Sequence, residues 1–124
     1  MIPTGRRQRF RPEDRMRKKT DFDRAYSQGR RIPSSSFTVI VCPSGQRHPR
    51  LGVTIPKSVG GAVVRNRVRR RLREAFRRNR EIIRAPMDIV LHVRPAAAGA
   101  RYEKLESELL AAVRRMGQGS GKRQ

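Results

Sequence analysis

The chain has 124 residues, enough for one domain with a modest core and too few for two. Hydrophobic residues make up 35% of it and aromatic residues 5%, so that core must be small and largely aliphatic. A formal net charge of +21, from 31 Lys+Arg against 10 Asp+Glu, repels itself unless a polyanion neutralises it, which argues against a merely soluble basic surface and for a polyphosphate partner. A single cysteine, Cys42, excludes an internal disulfide framework; within the apolar run FTVIVC it reads as a buried, inert thiol. No secretory signal follows the basic N-terminus, and no apolar run approaches the ~20 residues that cross a bilayer. The expected location is the cytoplasm.

Residues Met1 to Arg15 combine Pro3, Gly5, Pro12 and five arginines without apolar periodicity, and read as a disordered basic arm. From Thr20 to Gln28 the spacing predicts a short amphipathic helix, capped by Thr20 or Asp21 and stopped by Gly29. Phe22, Ala25 and Tyr26 share one of its faces, and spacing alone favours both rings in the core. Ser36 to Cys42 is a β-branched strand, Pro43 to Pro49 a hairpin loop, and Arg50 to Ile55 the returning strand, ended by Pro56. Lys57 to Gly61 leads into a long helix that Pro86 closes. Met87 to Val93 forms a third strand, Pro95 to Ala100 a connector, and Tyr102 to Met116 an amphipathic helix with Leu105, Leu109, Leu110 and Val113 as its stripe. The tail from Gly117 reads as disordered. The order α-β-β-α-β-α predicts one mixed sheet with helices packed on it, an α+β domain spanning residues 16–116. Its parallel pair comes from the strand–helix–strand unit and its antiparallel pair from the hairpin.

The densest signal lies between Gly60 and Arg84. Arg65, Arg67, Arg69, Arg70, Arg71, Arg73, Arg77, Arg78, Arg80 and Arg84 alternate there with Val64, Val68, Leu72, Ala75, Phe76, Ile82 and Ile83. At ~100° per residue the apolar set falls within an arc of roughly 120°, so one face can pack while the other is cationic. Arginine's planar fork suits bidentate phosphate contacts and stacking on bases.

Protein-based phosphodiester cleavage needs clustered carboxylates for metal ions, or placed acid–base groups. Here the carboxylates are scattered. Glu13 and Asp14 lie in the arm, Asp21 and Asp23 leave different sides of a short helix, and Glu74 and Glu81 stand among arginines. Asp88 is alone at a strand start, while Glu103, Glu106 and Glu108 read as solvated charges of the last helix. His48 and His92 have no ligand-spaced partner. Binding rather than bond cleavage is the expected contribution.

The run Ala62-Val-Val-Arg-Asn-Arg-Val-Arg-Arg-Arg-Leu-Arg-Glu-Ala-Phe76 resembles the signature of the bacterial ribonuclease P protein subunit. Upstream, Arg50-Leu-Gly-Val-Thr-Ile-Pro-Lys57 resembles that family's arginine–glycine strand ending in lysine, and Asp21-Phe22 with Tyr26 its aromatic pair on the first helix. The resemblance runs from about Met16 to Met116. It implies an α+β fold with a left-handed strand–helix–strand crossover, where periodicity alone would favour the right-handed form. It also implies a role in the RNA-based endonuclease that removes the 5′ leader of precursor tRNA. The RNA subunit would carry the active site and most of the magnesium, and the protein would bind both RNAs and take no small-molecule substrate. By position, Arg65, Asn66 and Arg67 would contact the catalytic RNA, with Lys57, Arg69, Arg70 and Arg73 extending that footprint. Phe22 and Tyr26 would line a cleft for the single-stranded leader, with Arg17, Lys18 and Lys19 holding phosphates beside it. Two departures stand out. Ile40 sits where some relatives carry another cleft aromatic, and Arg71 where many carry a bulky apolar residue, so its stem is expected over the core with the guanidinium reaching out.

Three rival readings share the charge: a structural RNA-binding protein, a DNA-compacting protein and a membrane-surface basic helix. The last would leave the flanking strands without the apolar stripe as their cover.

Overall fold

The computed structural model of the chain describes residues 10–83 and 86–122, with side chains as far as Met116. Its sheet has four strands: β1 (Arg30–Pro33), β2 (Phe37–Pro43), β3 (Arg50–Thr54) and β4 (Met87–Val93), in the order β1-β2-β4-β3. Three α-helices pack on it: α1 (Lys19–Gln28), α2 (Ala62–Arg78) and α3 (Tyr102–Lys122). The α+β class and the order α-β-β-α-β-α hold, with one short edge strand added. β3 and β4 run parallel across the α2 crossover, as a strand–helix–strand unit requires.

The predicted hairpin between β2 and β3 does not form. β4 lies between them, antiparallel to β2 and parallel to β3. The reason is burial: Asp88 to Leu91 of β4 are all buried, so this strand needs a neighbour on each side and cannot sit at an edge. The tight antiparallel connection is instead β1 to β2, pairing Ile32 with Val39. Only Ile32 of β1 is buried; Arg30, Arg31 and Pro33 are exposed, so this strand carried no apolar run to announce it.

Alternation gives the sheet two different faces. Val39, Val41, Leu51, Ile89, Leu91 and Val93 meet α2 through Val68, Leu72, Ala75 and Phe76, and α3 through Leu105 and Leu109. On the opposite face Ile40, Cys42 and Val90 meet Met16 and Ala25, with Phe22 and Tyr26 packed beside them. Gly52 is in register with Val90. A Cβ there would lie 2.7 Å from the Phe22 ring and 3.0 Å from Met16 Sδ, so glycine is what lets α1 approach.

Three boundaries differ from the periodic reading. α2 stops at Arg78 rather than Arg84, because the Asn79 amide turns back to donate to Ala75 O (2.8 Å) and to Glu106 Oε2 (2.8 Å). Ile83 is still buried, but Ile82, counted in the apolar stripe, is 57% exposed; Arg84 lies outside the described residues. Residues 10–15, assigned to the basic arm, belong to the fold. Phe10 meets Phe76 edge-on at 5.9 Å, Pro12–Asp14 form a 3-10 turn, and Met16 N–H donates to Leu51 O. Residues 1–9 lie outside the described residues. Finally, the α3 backbone stays helical to Lys122, past the glycine expected to end it. Residues 123–124 lie outside the described residues.

Candidate nucleic-acid interface

The entry to α2 is set by backbone chemistry. Lys57 is exposed on a 3-10 turn that ends at Gly60, whose φ of +155° favours glycine and where a Cβ would press on Val64 at 2.9 Å. Arg65 Nε donates back to Gly60 O (3.1 Å), and Asn66 Oδ1 accepts from Arg69 Nη1 (2.8 Å). A guanidinium has five N–H donors, so one such bond fixes its direction and leaves most of its donors for a ligand.

From there the arginines divide between two flanks. Asn66, Arg69, Arg70 and Arg73 line one concave surface of about 420 Å³ together with Phe10, Glu74 and Arg77. Arg70 is exposed and bonds to nothing among the described residues. Arg73 lies 5.6 Å over the Phe10 ring, and burial, reinforced by the Arg15 and Arg69 charges, lowers its pKa. Burial is the larger cause, and the two neighbouring cations add to it. Arg67 is not part of this group. It turns to the other flank, donating to Ala98 O (3.4 Å), beside Arg71, which donates to Ala100 O (3.0 Å). The Arg71 guanidinium is thus half-buried on a backbone carbonyl rather than reaching freely into solvent.

The second group gathers around α1. Arg17 and Lys18 are exposed just before its first turn and Lys19 at its first residue, with Lys19 paired to Asp23 (2.9 Å). Phe22 and Tyr26 are half-buried: each rests on the sheet and keeps part of its surface open, so neither the wholly internal nor the wholly exposed reading describes them. Ile40 is fully buried beneath α1 and is no part of the open surface. Composition missed the companions of Tyr26. Its hydroxyl lies 2.8 Å from His92 Nδ1, the two rings stand edge-to-face at 5.8 Å, and the Arg31 guanidinium is 5.9 Å from the Tyr26 centroid. Strand alternation held the signal for His92, since it shares its face of β4 with Val90.

Several of the carboxylates are committed to the fold. Asp88 is not alone: fully buried, it accepts from Arg50 Nε and Nη2 (2.8 Å each) and from Arg24 Nη2 (3.2 Å), with Asp21 3.2 Å from the same Arg50. The bonds to Asp88 raise the Arg50 pKa in spite of burial. Asp14, also fully buried, accepts from Arg80 at 2.8 and 2.7 Å. Nor is Glu108 a solvated charge. It accepts from Ser36 N–H (2.9 Å), Ser36 Oγ (2.7 Å), Ser35 Oγ (3.2 Å) and Ser34 Oγ. Burial alone would raise the Glu108 pKa, but the bonds from Ser34, Ser36 and Lys104 outweigh it and hold it at about 2. Among the described residues no group of three or more His, Cys, Asp or Glu could hold a metal ion. Nor is any helix of the described residues long and apolar enough to cross a membrane.

Comparison with known proteins gives one answer. A family model described as Ribonuclease P matches residues 10–117. The ribonuclease P protein component of Syntrophobacter fumaroxidans is 40% identical over 104 residues, covering 83% of this chain and 87% of its own. That of Alkaliphilus metalliredigens is 33% identical over 103 residues, covering 83% and 93%. Among solved structures, an RNase P protein mutant of Staphylococcus aureus with defective mRNA degradation activity superposes with a TM-score of 0.78 at 30% identity, over 85% of this chain and 89% of that one. The RNase P protein of Thermotoga maritima does so with a TM-score of 0.75 at 28% identity, over 82% and 96%.

Proposed function

Because this chain belongs to the bacterial ribonuclease P protein family, we propose that it is the protein subunit of a cytoplasmic ribonucleoprotein endonuclease. In this reading it binds the catalytic RNA and the 5′ leader of precursor tRNA, and so assists removal of the leader to give the mature 5′ end. One observation carries the reading: Arg69, Arg70 and Arg73 crowd one flank of α2 without acids enough to neutralise them, while the buried acids are bonded elsewhere. RNA phosphates are the natural counter-charge for such a surface, and each contact also releases condensed counterions.

The catalytic RNA would meet Asn66, Arg69, Arg70 and Arg73 on that flank, Lys57 and Arg65 at the entry to α2, and Arg67 on the other flank. The leader would cross the α1 side, its bases stacking on Phe22 and Tyr26 and its phosphates meeting Arg17, Lys18 and Lys19. Stacking on a ring contributes roughly 1–3 kcal/mol per base and tolerates any base, which suits leaders of varied sequence. Bond cleavage and the magnesium ions belong to the RNA subunit. The test is reconstitution: the purified protein should lower the magnesium concentration at which a bacterial ribonuclease P RNA removes a leader. An unchanged magnesium requirement would leave only a structural RNA-binding role.

A further inference from the structure

We infer that His92 is a positioning residue for leader binding, acting through Tyr26; the inference rests on the leader reading given above. Tyr26 projects from the third turn of α1, where a free phenol could rotate about its side-chain bonds. Three contacts hold it. His92 Nδ1 lies 2.8 Å from its hydroxyl, the imidazole stands at 87° to its ring, and Arg31, which also donates to Tyr26 O (3.1 Å), covers it from β1. His92 is itself fixed by the sheet, in register between Thr38 and Thr54, and all three are half-buried at the margin that α1 leaves open. This is a built arrangement. A polar side chain on the central strand reaches an aromatic on a helix, at the boundary between covered and open sheet. A ring held in one orientation loses less freedom when a base stacks on it, so the bond strengthens stacking without touching the nucleotide.

The experiment uses the holoenzyme and compares affinity for precursor tRNA bearing a leader with affinity for mature tRNA. Tyr26→Phe and His92→Ala each remove the same hydrogen bond. Each should weaken leader-bearing precursor by roughly two- to tenfold, the size of one net hydrogen bond, and spare mature tRNA. The double variant should be no worse than the more damaging single one, because the pair acts as a unit. His92→Asn, which places an amide where Nδ1 stood, should recover most of the loss. Losses that multiply in the double variant, a loss shared by mature tRNA, or no recovery with asparagine would overturn the inference. Phe22→Ala and Tyr26→Ala separate the two levels. If neither shows a leader-dependent loss, the leader reading itself falls. If both do and His92→Ala is silent, only the positioning role falls.

Discussion

Arg70→Ala removes one of the phosphate contacts proposed for the α2 flank. Arg70 is exposed in the middle of α2 and bonds to nothing among the described residues, and alanine is at least as good a helix former, so the fold should keep its stability. Each lysine or arginine contact with a phosphate contributes about 0.7–0.9 to the slope of log K against log salt. Losing one therefore costs roughly five- to eightfold in affinity at 0.1 M salt relative to 1 M, and the slope falls by just under one. Arg69, Arg70 and Arg73 line the same concavity, so the triple alanine variant should lose about 2.1–2.7 from the slope if their contacts add. The assay is titration of labelled RNA subunit with protein across a salt series. Arg47→Ala is the control, an exposed cation on the loop between β2 and β3. If it lowers the slope as much as Arg70→Ala, the RNA responds to diffuse charge and the α2 flank is no defined site.

Asp88→Ala should destabilise the protein by about 1.5–3 kcal/mol in urea unfolding, because it removes the fully buried acceptor of Arg50 and Arg24 and leaves the two guanidiniums with Asp21 alone. Gly52→Ala forces Phe22 away from the sheet and should cost about 1–3 kcal/mol in the same assay, with α1 loosened first in hydrogen exchange. Glu108 sets an acid limb. Its folded pKa of about 2 lies below the ordinary 4.5, so its contribution is full above pH 4.5 and is lost as pH falls towards 2. That contribution is at most about 3 kcal/mol, and Glu108→Gln should flatten that part of the stability–pH curve.

Periodicity located all three helices and three of the four strands because each has an apolar face that only burial satisfies. The α2 arginines and the α1 aromatics were legible for the same reason: spacing decides which side chains share a face. What spacing does not encode is pairing between distant segments. Nothing local in Asp88, Asp14 or Glu108 announces that its partners lie 38 or 64, 66, and 72 to 74 positions away. The order of β2, β4 and β3 was hidden likewise, since two strands joined by a turn-rich loop look like a hairpin until the most buried strand claims the place between them. Phe10 was overlooked because one aromatic in an arginine-rich arm has no period at all.

These long-range pairs explain how so basic a chain folds. Asp14 fastens the N-terminal segment to the residues just past α2, Asp88 with Asp21 fastens α1 to β3 and β4, and Glu108 fastens α3 to the turn between β1 and β2. Each carboxylate sits where two elements meet and gathers several donors: Asp14 and Asp88 neutralise the largely buried Arg80 and Arg50, and Glu108 collects serine donors. On α2 Glu74 pairs with Arg77, and Arg69, Arg70 and Arg73 are left without an acidic partner among the described residues. That arrangement raises the free energy of the free protein through self-repulsion and lowers it again when a polyanion binds, so the same crowding that burdens the isolated fold becomes part of the driving force for assembly. An acid introduced beside Arg70 should therefore act in opposite directions on the two states, stabilising the protein alone and weakening its hold on RNA. A variant that gained or lost on both counts together would contradict this account.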